Sequence, residues 1–350
     1  MSLPDQRTFT FVVFVTPGFN SFATMGFVDP FRAANYLVGR QLFRWVFVSE
    51  AGGLCYGSNG AGVECDRLDI ASHSALDIAL ISSSWTPEYH GSAKVLFAIR
   101  SWARAGVTIA GLDTGAFIIA QSGFLDNRRA TVHFEHIDSL REQYPNVDVV
   151  EDLFTFDGSF LTCCGGTSAV DFGLHLLKEL SGAALANAAA RYIFQPRLRE
   201  TSASQKPTGA EPLGALVPDD VKAIIRLMEE NLEEPLPIPH LCERVGVSHR
   251  QVTRLFSRYI KKSPALYYRD IRLDRARGLV TQTEMQMSEI AVASGFSSQV
   301  HFSRAYKERF GLPPIRDRVE GRVPFEFRTW PMYSKAFKNP VDGQTRQTLG

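Results

Sequence analysis

The strongest constraint in this 350-residue sequence is one pattern that occurs twice, at residues 241–248 and at residues 290–298. In each copy a small residue stands four positions before a glycine: Cys242 before Gly246, and Ala291 before Gly295. The small side chain lets two helices approach closely, and the glycine allows a tight turn with a positive φ between them. Ser248 and Ser298 can each cap the helix that follows the turn. Both copies therefore predict a helix-turn-helix.

The second helix of each motif, called here the reading helix, has an apolar and a polar face. The first covers residues 249–262, with five Lys/Arg and no acid, and the second covers residues 299–310. The apolar faces are Val252, Leu255 and Phe256 in the first, and Phe302, Tyr306 and Phe310 in the second. Because such a helix enters the DNA major groove, its outward side chains are candidate DNA contacts. They are His249, Arg250, Thr253 and Arg254 in the first, and Gln299, Val300, His301, Ser303 and Arg304 in the second. An ordinary charged surface helix would explain one copy, but two copies in tandem favour DNA binding.

The sequence between the two motifs predicts one long helix. Ser263 caps it, Pro264 occupies its first turn, and it ends near Val280. Such a helix is about 25 Å long at about 1.5 Å per residue. It would hold the two reading helices about one DNA turn, or about 34 Å, apart on one face of a duplex.

Residues 218–318 resemble the AraC/XylS family of transcription regulators. The motifs that carry the resemblance are S-P-x-x-Y, R-L-x-x-A-R and I-A-x-x-x-G-F-x-S-x-x-H-F-S-R-x-[FY]-K-x-x-F-G. The chain departs from the family after Leu312, where it reads P-P-I-R-D-R instead of P-x-x-Y-R, so the last short helix of the family is not predicted. The resemblance implies binding of double-stranded DNA as a homodimer and contact with RNA polymerase.

Charge is spread unevenly along the chain, although the net charge is only +1. Residues 219–318 hold 17 Lys/Arg against 13 Asp/Glu, which gives +4 and leaves −3 for the remainder. A basic module joined to a mildly acidic one is typical of a nucleic-acid binder with an attached sensor. The five cysteines form neither an even disulfide framework nor a zinc-ribbon spacing. With no apolar run long enough for a membrane span, these features predict a cytoplasmic protein.

The first half of the chain alternates strand and helix patterns, which predicts a doubly wound, flavodoxin-like α/β fold with a parallel sheet. The all-α part with two helix-turn-helix motifs follows it. Predicted strands are 9–15, 44–49, 76–81 and 107–112, with hairpins at 52–62 and 154–163. Predicted helices are 21–37, 93–105, 115–122, 134–144, 167–180 and 183–192.

A strand runs into a helix through a glycine-rich turn at residues 109–117. This geometry is the nucleophile elbow, which lifts one side chain above the edge of a sheet. Over residues 8–193 the chain resembles the class I glutamine amidotransferase-like superfamily, of the ThiJ/PfpI type found fused to AraC-type domains. Supporting motifs are P-G-F at 17–19, D-P-x-R-A-A-N at 29–35, R-A-T-x-H at 129–133 and C-G-G-x-x-x-x-D at 164–171.

Asp113 stands at the elbow, where enzymes of that superfamily carry a nucleophilic cysteine. A carboxylate is a poor acyl-transfer nucleophile, so we expect a ligand sensor without catalytic residues. The resemblance places Asp29 near Asp113, so the two acids would bind a cation or share a proton for acid/base chemistry. Cation binding is favoured because a DNA-binding half is attached. The alternative is an active amidotransferase-like or hydratase-like enzyme that carries a DNA-binding domain.

The predicted ligand site sits above the elbow, with aromatic side chains that can stack on an ammonium group. Its candidate residues are Asp29, Asp113, Thr114, Trp85, Phe117 and His133. Relatives of this architecture answer to amino acids or quaternary ammonium compounds, so the resemblance implies a small nitrogenous effector. His133, Glu135 and His136 could also bind a metal, but a helix cap with a solvated face explains them better. No pattern indicates a cofactor, and Cys163 and Cys164 are interpreted as buried core residues.

These patterns divide the chain into four segments. They are a sensor domain at 1–195, a flexible linker at 196–217, a DNA-binding domain at 218–318 and an extension of unknown role at 319–350. The linker prediction rests on its prolines, its small polar residues and its lack of apolar periodicity.

Overall fold

A computed structural model describes residues 7–71, 76–195, 197–205 and 217–320. The chain divides into two compact units, with the boundary between Gln205 and Lys206. The strands of the first unit are β1 (Phe9–Val15), β2 (Phe43–Ser49), β3 (Gly53–Tyr56), β4 (Gly62–Arg67), β5 (Ile78–Ser83), β6 (Thr108–Asp113), β7 (Arg129–Ala130), β8 (Asp148–Val149), β9 (Phe154–Asp157) and β10 (Phe160–Cys163). Its helices are α1 (Ser21–Val38), α2 (Leu68–Ala71), α3 (Ala93–Arg104), α4 (Gly115–Gln121), α5 (Ile137–Gln143), α6 (Ser168–Ser181) and α7 (Ala183–Tyr192).

Eight of these strands form one sheet in the order β3-β4-β2-β1-β5-β6-β10-β9. The six inner strands pair in parallel, and β3 and β9 close the two edges as antiparallel hairpin partners. The strands β7 and β8 form a separate parallel pair. The predicted doubly wound α/β fold is confirmed, including both hairpins.

The central strand β1 is buried on both faces, as its continuous apolar sequence requires. Successive side chains of a strand point to opposite faces, so Phe11 and Val13 enter one core while Val12 and Phe14 enter the other. Helices α1, α6 and α7 cover the first core, and α3, α4 and α5 cover the second. The sheet therefore forms the middle layer of three, with its carboxyl edge free to carry a site.

A segment that the sequence assigned to the flexible linker is instead docked on the α/β unit. The docked segment, residues 197–205, is joined by hydrogen bonds from Leu153 N to Ala203 O (3.0 Å) and from Gln205 N to Glu151 O (3.1 Å). Arg199 Nε donates to buried Asp171 at 2.7 Å, and Gln205 Nε2 donates to Thr131 Oγ1 at 2.8 Å. The predicted linker therefore begins too early, because specific polar partners hold a sequence that lacks apolar periodicity.

The second unit is all helical. Its helices are α8 (Asp219–Glu230), α9 (Ile238–Val245), α10 (His249–Leu255), α11 (Pro264–Gln282), α12 (Met287–Ala293), α13 (Gln299–Phe310) and α14 (Pro314–Glu320). Helix α10 continues as a wider π-helical turn over Phe256–Ile260, which the sequence pattern did not predict. Gly246 and Gly295 have φ values of 77° and 72°, and Ser248 and Ser298 cap α10 and α13. Both helix-turn-helix motifs are thus formed as predicted.

The last helix, α14, forms although its sequence departs from the family pattern. Buried Asp317 accepts hydrogen bonds from Arg277 Nε at 2.9 Å and Tyr306 Oη at 2.7 Å. Arg318 Nη2 donates to Met285 O at 2.6 Å. These contacts replace the missing motif and anchor α14. The predicted extension at 319–350 lies outside the described residues beyond Glu320.

Candidate functional site

The elbow between β6 and α4 is formed as the sequence predicts, with Asp113 at its apex. Asp113 has a φ of 60°, in the left-handed region that non-glycine residues rarely adopt. A Cβ on Gly115 would collide with the carbonyl oxygen of Ile81 in the neighbouring strand, so only glycine fits after the elbow. A strained residue held by such packing points to a functional position.

The Asp113 carboxylate lies in a buried environment at the carboxyl edge of the sheet, and Asp113 is only 4% exposed. The surroundings of this carboxylate are called the pocket here. Asn20, which caps α1, donates its Nδ2 hydrogen to Asp113 Oδ2 at 2.7 Å. A Cβ placed on Gly165 would lie 3.2 Å from the same oxygen, so this glycine forms one wall of the pocket. Three loops therefore meet at Asp113: the one before α1, the elbow, and the one before α6.

Burial raises the pKa of Asp113 from 3.8 to about 6, because a charged carboxylate loses its hydration there. The nearby His133 and the Asn20 amide oppose this rise, while the charge of Glu135 adds to it. No Lys or Arg side chain within the described ranges bonds to Asp113. The pocket is therefore poised between a neutral and an anionic state near neutral pH.

Asp29 does not join this pocket, so the prediction that it lies beside Asp113 is wrong. Its side chain is 42% exposed and accepts from Arg32 Nε at 2.5 Å, one turn further along α1. Nine residues of helix, about 13 Å of rise, separate it from Asn20, whose side chain does reach Asp113. An acid whose charge does act on Asp113 is Glu135, for which the sequence suggested a metal ligand or, better, a helix cap with a solvated face.

Two other predicted pocket residues have structural roles. The Thr114 hydroxyl is fully buried and donates to the Ser84 carbonyl oxygen at 2.5 Å, which ties the elbow to the end of β5. Phe117 is buried in the core beneath the pocket, with its ring centroid 6.2 Å from that of Tyr144. Neither side chain is free to contact a ligand, because each already fills a packed environment.

Trp85 and His133 belong to segments that are hydrogen-bonded to the elbow. Trp85 is half-buried and directly follows Ser84, whose carbonyl oxygen accepts the Thr114 hydroxyl. The backbone N–H of His133 lies 3.4 Å from the carbonyl oxygen of Asp113, and its ring stacks 4.6 Å from that of Phe134. His133 Nδ1 is 3.8 Å from Glu135 Oε2, and the charge of His133 opposes the rise in the pKa of Asp113.

The metal alternative finds no support in the described part of the chain, where no group of three or more His, Cys, Asp or Glu side chains could hold an ion. His136 is buried, and burial lowers its pKa to about 3, so its ring stays neutral inside the core. Cys163 and Cys164 are buried as predicted, and the thiols share the Ser168 hydroxyl at 3.3 and 3.1 Å. Among the described residues, no helix combines the length and apolar character needed to span a bilayer.

Sequence reasoning missed Asn20 and Gly165 as parts of the pocket. Asn20 follows the P-G-F turn and precedes a helical pattern, so the sequence marks it as a helix cap. The sequence does not show that the side-chain nitrogen of Asn20, Nδ2, reaches Asp113. Gly165 belongs to the C-G-G motif that begins at Cys164, and the motif alone does not show that this glycine lies against Asp113. Its φ of 88° and its closeness to Asp113 explain the need for glycine.

The reading helices present their predicted contacts to solvent. All nine candidates are exposed except Ser303, which is half-buried, while Val252, Phe256, Phe302 and Tyr306 are buried beneath them. The Thr253 hydroxyl donates to its own helix at His249 O (2.9 Å). Within the described part, Arg250, Arg254 and Arg304 form no ion pair with an acid. Unpaired cations on a solvent-facing helix are available to phosphates and base edges.

The comparisons with known proteins agree with both units. The helix-turn-helix domain family matches residues 241–319, and the DJ-1/PfpI family matches residues 11–179. The HTH-type transcriptional regulator CdhR of Pseudomonas aeruginosa is 34% identical over 303 residues, which is 87% of this chain and 89% of the relative. GbdR of the same species is 35% identical over 84% of this chain and 80% of its own length, and GlxA of Rhizobium meliloti is 33% identical over 84% and 91%.

An AraC family transcriptional regulator from Pseudomonas putida has a solved structure that covers 53% of this chain and 99% of its own, at 20% identity and a TM-score of 0.48. Because CdhR, GbdR and GlxA match over most of their length, the chain belongs to the family of AraC-type HTH transcriptional regulators with an N-terminal DJ-1/PfpI domain. It is a DNA-binding transcription regulator.

Proposed function

We propose that the α/β unit senses a small cationic metabolite, such as an amino acid or a quaternary ammonium compound, in the pocket around Asp113. The observation that carries the proposal is the buried Asp113 carboxylate, whose only side-chain hydrogen-bond donor among the described residues is the neutral amide of Asn20. A buried charge without a partner of opposite sign is costly, and a ligand cation removes that cost.

The chemistry around Asp113 favours a cation over an anion. Glu135 adds a second negative charge, which raises the pKa of Asp113. Trp85 supplies an aromatic surface at the rim, which suits an alkylated ammonium through cation–π contact. His133 can accept or donate a hydrogen bond, and so can orient an amino or carboxyl group of the ligand.

The same pocket argues against enzyme chemistry. The elbow of an acyl-transfer enzyme presents a thiolate, whereas Asp113 presents a carboxyl group, which is a poor nucleophile for acyl transfer. The competing function is a hydratase or amidotransferase that uses Asp113 and His133 as acid and base. Turnover of small amides or α-ketoaldehydes that disappears in Asp113→Asn would establish that function instead.

Calorimetric titration of amino acids and quaternary ammonium compounds tests the sensor directly. We expect a confirmed effector to bind at least about tenfold more weakly to Asp113→Asn, since one buried charge pair is lost. Asp29→Asn is the matched control, because Asp29 is exposed and pairs only with Arg32, and it should bind as the wild type does. A confirmed effector that is an anion without a cationic group contradicts the proposal. So does an effector that binds Asp113→Asn as tightly as it binds Asp29→Asn.

We further propose that the regulator acts in the cytoplasm as a homodimer that contacts RNA polymerase, with the dimer contact on the α/β unit. Support comes from an exposed apolar patch at the ends of α1 and α7, where the rings of Tyr36 and Tyr192 lie 5.1 Å apart and Phe194 is 92% exposed. Sedimentation of the full chain at micromolar concentration should give a dimer, and Tyr36→Glu should weaken it. A wild-type monomer under those conditions would contradict this proposal.

A further inference from the structure

The two helix-turn-helix motifs are braced against each other at the turn of the second motif. A Cβ on Gly295 would lie 2.5 Å from the carbonyl oxygen of Leu232 and 2.8 Å from Pro235, in the segment that leads into α9. Arg272 of α11 donates from Nη1 to Gly295 O at 2.7 Å and lies 4.8 Å over the ring of Phe296. The turn therefore packs backbone against backbone on the first motif.

A second brace lies at the other ends of the reading helices. Asp270 of α11 accepts from Lys262 Nζ at 2.6 Å and from Arg309 at 2.8 Å, both through Oδ2. Lys262 is the last residue of the first reading helix, two positions beyond its π-helical turn, and Arg309 lies in the last turn of the second. Arg309 also binds Asp274, one turn further along α11, at 2.7 Å. These four residues, called here the Asp270 cluster, join both motifs to one helix.

Burial makes Asp270 the centre of this cluster. Its side chain is 9% exposed, whereas that of Asp274 is 54% exposed. Two cations on one shielded oxygen hold their positions far better than a solvent-exposed pair does. The apolar cores also attach each motif to α11, through Tyr268 and Ile271 for the first motif and Leu273 and Ala276 for the second, but in two separate clusters. At Asp270 a single side chain holds a residue from each motif.

We propose that Asp270 is a positioning residue that fixes the distance and rotation between the two reading helices, and thereby the spacing of DNA bases that the protein accepts. Asp270 touches no DNA itself. It acts by holding Lys262 and Arg309, so that both reading helices approach a duplex as one rigid body.

DNA geometry turns this rigidity into specificity. One base pair inserted between the two segments read by the protein moves the second segment by about 3.4 Å and also rotates it around the helix axis. A rigid pair of reading helices then loses the base contacts of one helix, whereas a loosened pair can follow the displacement. The spacing preference, rather than overall affinity, therefore reports on Asp270.

The test uses the full-length protein and a duplex selected by it from a random DNA library. Binding is measured to that duplex and to versions with one base pair inserted or removed between the two contacted segments. We expect the wild type to lose about a hundredfold in affinity on the altered duplexes, as contacts to several bases are lost. Asp270→Asn should shrink this penalty to about tenfold or less while keeping most of its affinity for the selected duplex.

Asp274→Asn is the matched control, because it removes an exposed partner of Arg309 and leaves Lys262 and Arg309 on Asp270. It should retain the wild-type spacing penalty. A penalty in Asp270→Asn equal to that of the wild type overturns the proposal, and so does an equal loss of affinity on every duplex, random sequence included.

A measurement on the free protein covers the case in which Asp270→Asn binds no DNA. Spin labels at exposed Ser257 and Lys307 report the distance between the reading helices. Asp270→Asn should broaden the distance distribution, and Asp274→Asn should leave it narrow. An unchanged distribution in Asp270→Asn contradicts the positioning role whatever the DNA affinity. These outcomes do not depend on the effector, so they stay separable from the sensor proposal.

Discussion

Asp113 and Asp171 are two buried carboxylates of the same α/β unit, and their surroundings differ sharply. Asp171 is fully buried and receives the Arg199 guanidinium at 2.7 Å and the Gln195 amide at 2.9 Å. Among the residues that the structure describes, the Asp113 side chain accepts a side-chain hydrogen bond only from the Asn20 amide, at 2.7 Å. A carboxylate with a structural role is neutralised within the chain, whereas one left with a neutral donor is available to a ligand of opposite charge.

The largest expected effect comes from removing the partner of the structural acid. Arg199→Met leaves Asp171 buried without a cation and should destabilise the protein by about 3 kcal/mol, since breaking a buried pair strands the remaining charge. Denaturant unfolding measures the loss. Arg32→Met removes the partner of exposed Asp29 and should cost less than about 1 kcal/mol. Similar losses in both variants would remove the distinction between buried and exposed pairs.

The DNA-binding unit shows a similar contrast between an arginine that is paired with acids inside the chain and an arginine that is not. Arg309 is committed to Asp270 and Asp274, whereas Arg254 has no acidic partner in the described part. Arg254→Ala should weaken specific DNA binding by about 1–3 kcal/mol and relax the preference at one base position. Binding assays on a panel of single-base variants measure both effects. A uniform loss on all sequences would reassign Arg254 to a phosphate contact.

Asp113→Asn should act in the opposite direction to Arg199→Met on stability. The folded pKa of about 6 exceeds the unfolded value of 3.8, so the wild type loses stability as pH rises from about 4 through 6. The amide has no such loss, so the variant should be more stable by about 1–2 kcal/mol above pH 6 and equal to wild type below pH 4. Thermal unfolding without ligand at pH 4 and pH 7.5 measures this. A variant that is less stable at pH 7.5 would show that the Asp113 charge is compensated inside the chain.

The smallest expected effect is on the pH dependence of stability, and it comes from two buried histidines that stay neutral. Burial lowers the pKa of His136 to about 3 and that of His90 to about 4, below the unfolded value of 6.5. The unfolded chain therefore binds protons that the folded chain does not, and stability falls as pH drops below 6.5. His136→Phe should flatten this acid limb by up to about 1 kcal/mol per pH unit. Melting curves between pH 7 and pH 5 that keep the wild-type slope would count against a neutral buried His136.

The parts of the fold that depend on local patterns were accessible from the sequence. Continuous apolar runs fixed the parallel strands, and the small-residue, glycine and serine pattern located both helix-turn-helix motifs because each position has one local reason. The pocket was only partly accessible. The elbow identified Asp113, but Asn20 reaches it from a distant part of the sequence, and the charge of Glu135 also acts on it. Asp29 instead pairs with Arg32, one turn further along the same helix.

Docking of residues 197–205 escaped prediction for the same reason. Polar side chains such as Arg199 and Gln205 look like linker composition until their partners, Asp171 and Thr131, are placed beside them. The last helix escaped too, because Asp317 and Arg318 anchor it by contacts that differ from the family motif.

The docked segment also determines where sensors and DNA-binding halves can be exchanged between relatives. A crossover at residue 195 would take Asp171 and Arg199 from different parents. It would likewise take Gln205 and its partners Thr131 and Val132 from different parents. Each chimaera would then carry a buried acid at position 171 without the arginine of the same parent. A crossover after Gln205 keeps all of these pairs within one parent. Functional hybrids should therefore be recovered from junctions beyond Gln205. In natural exchange of these domains between relatives, residues 197–205 should be inherited together with the sensor domain.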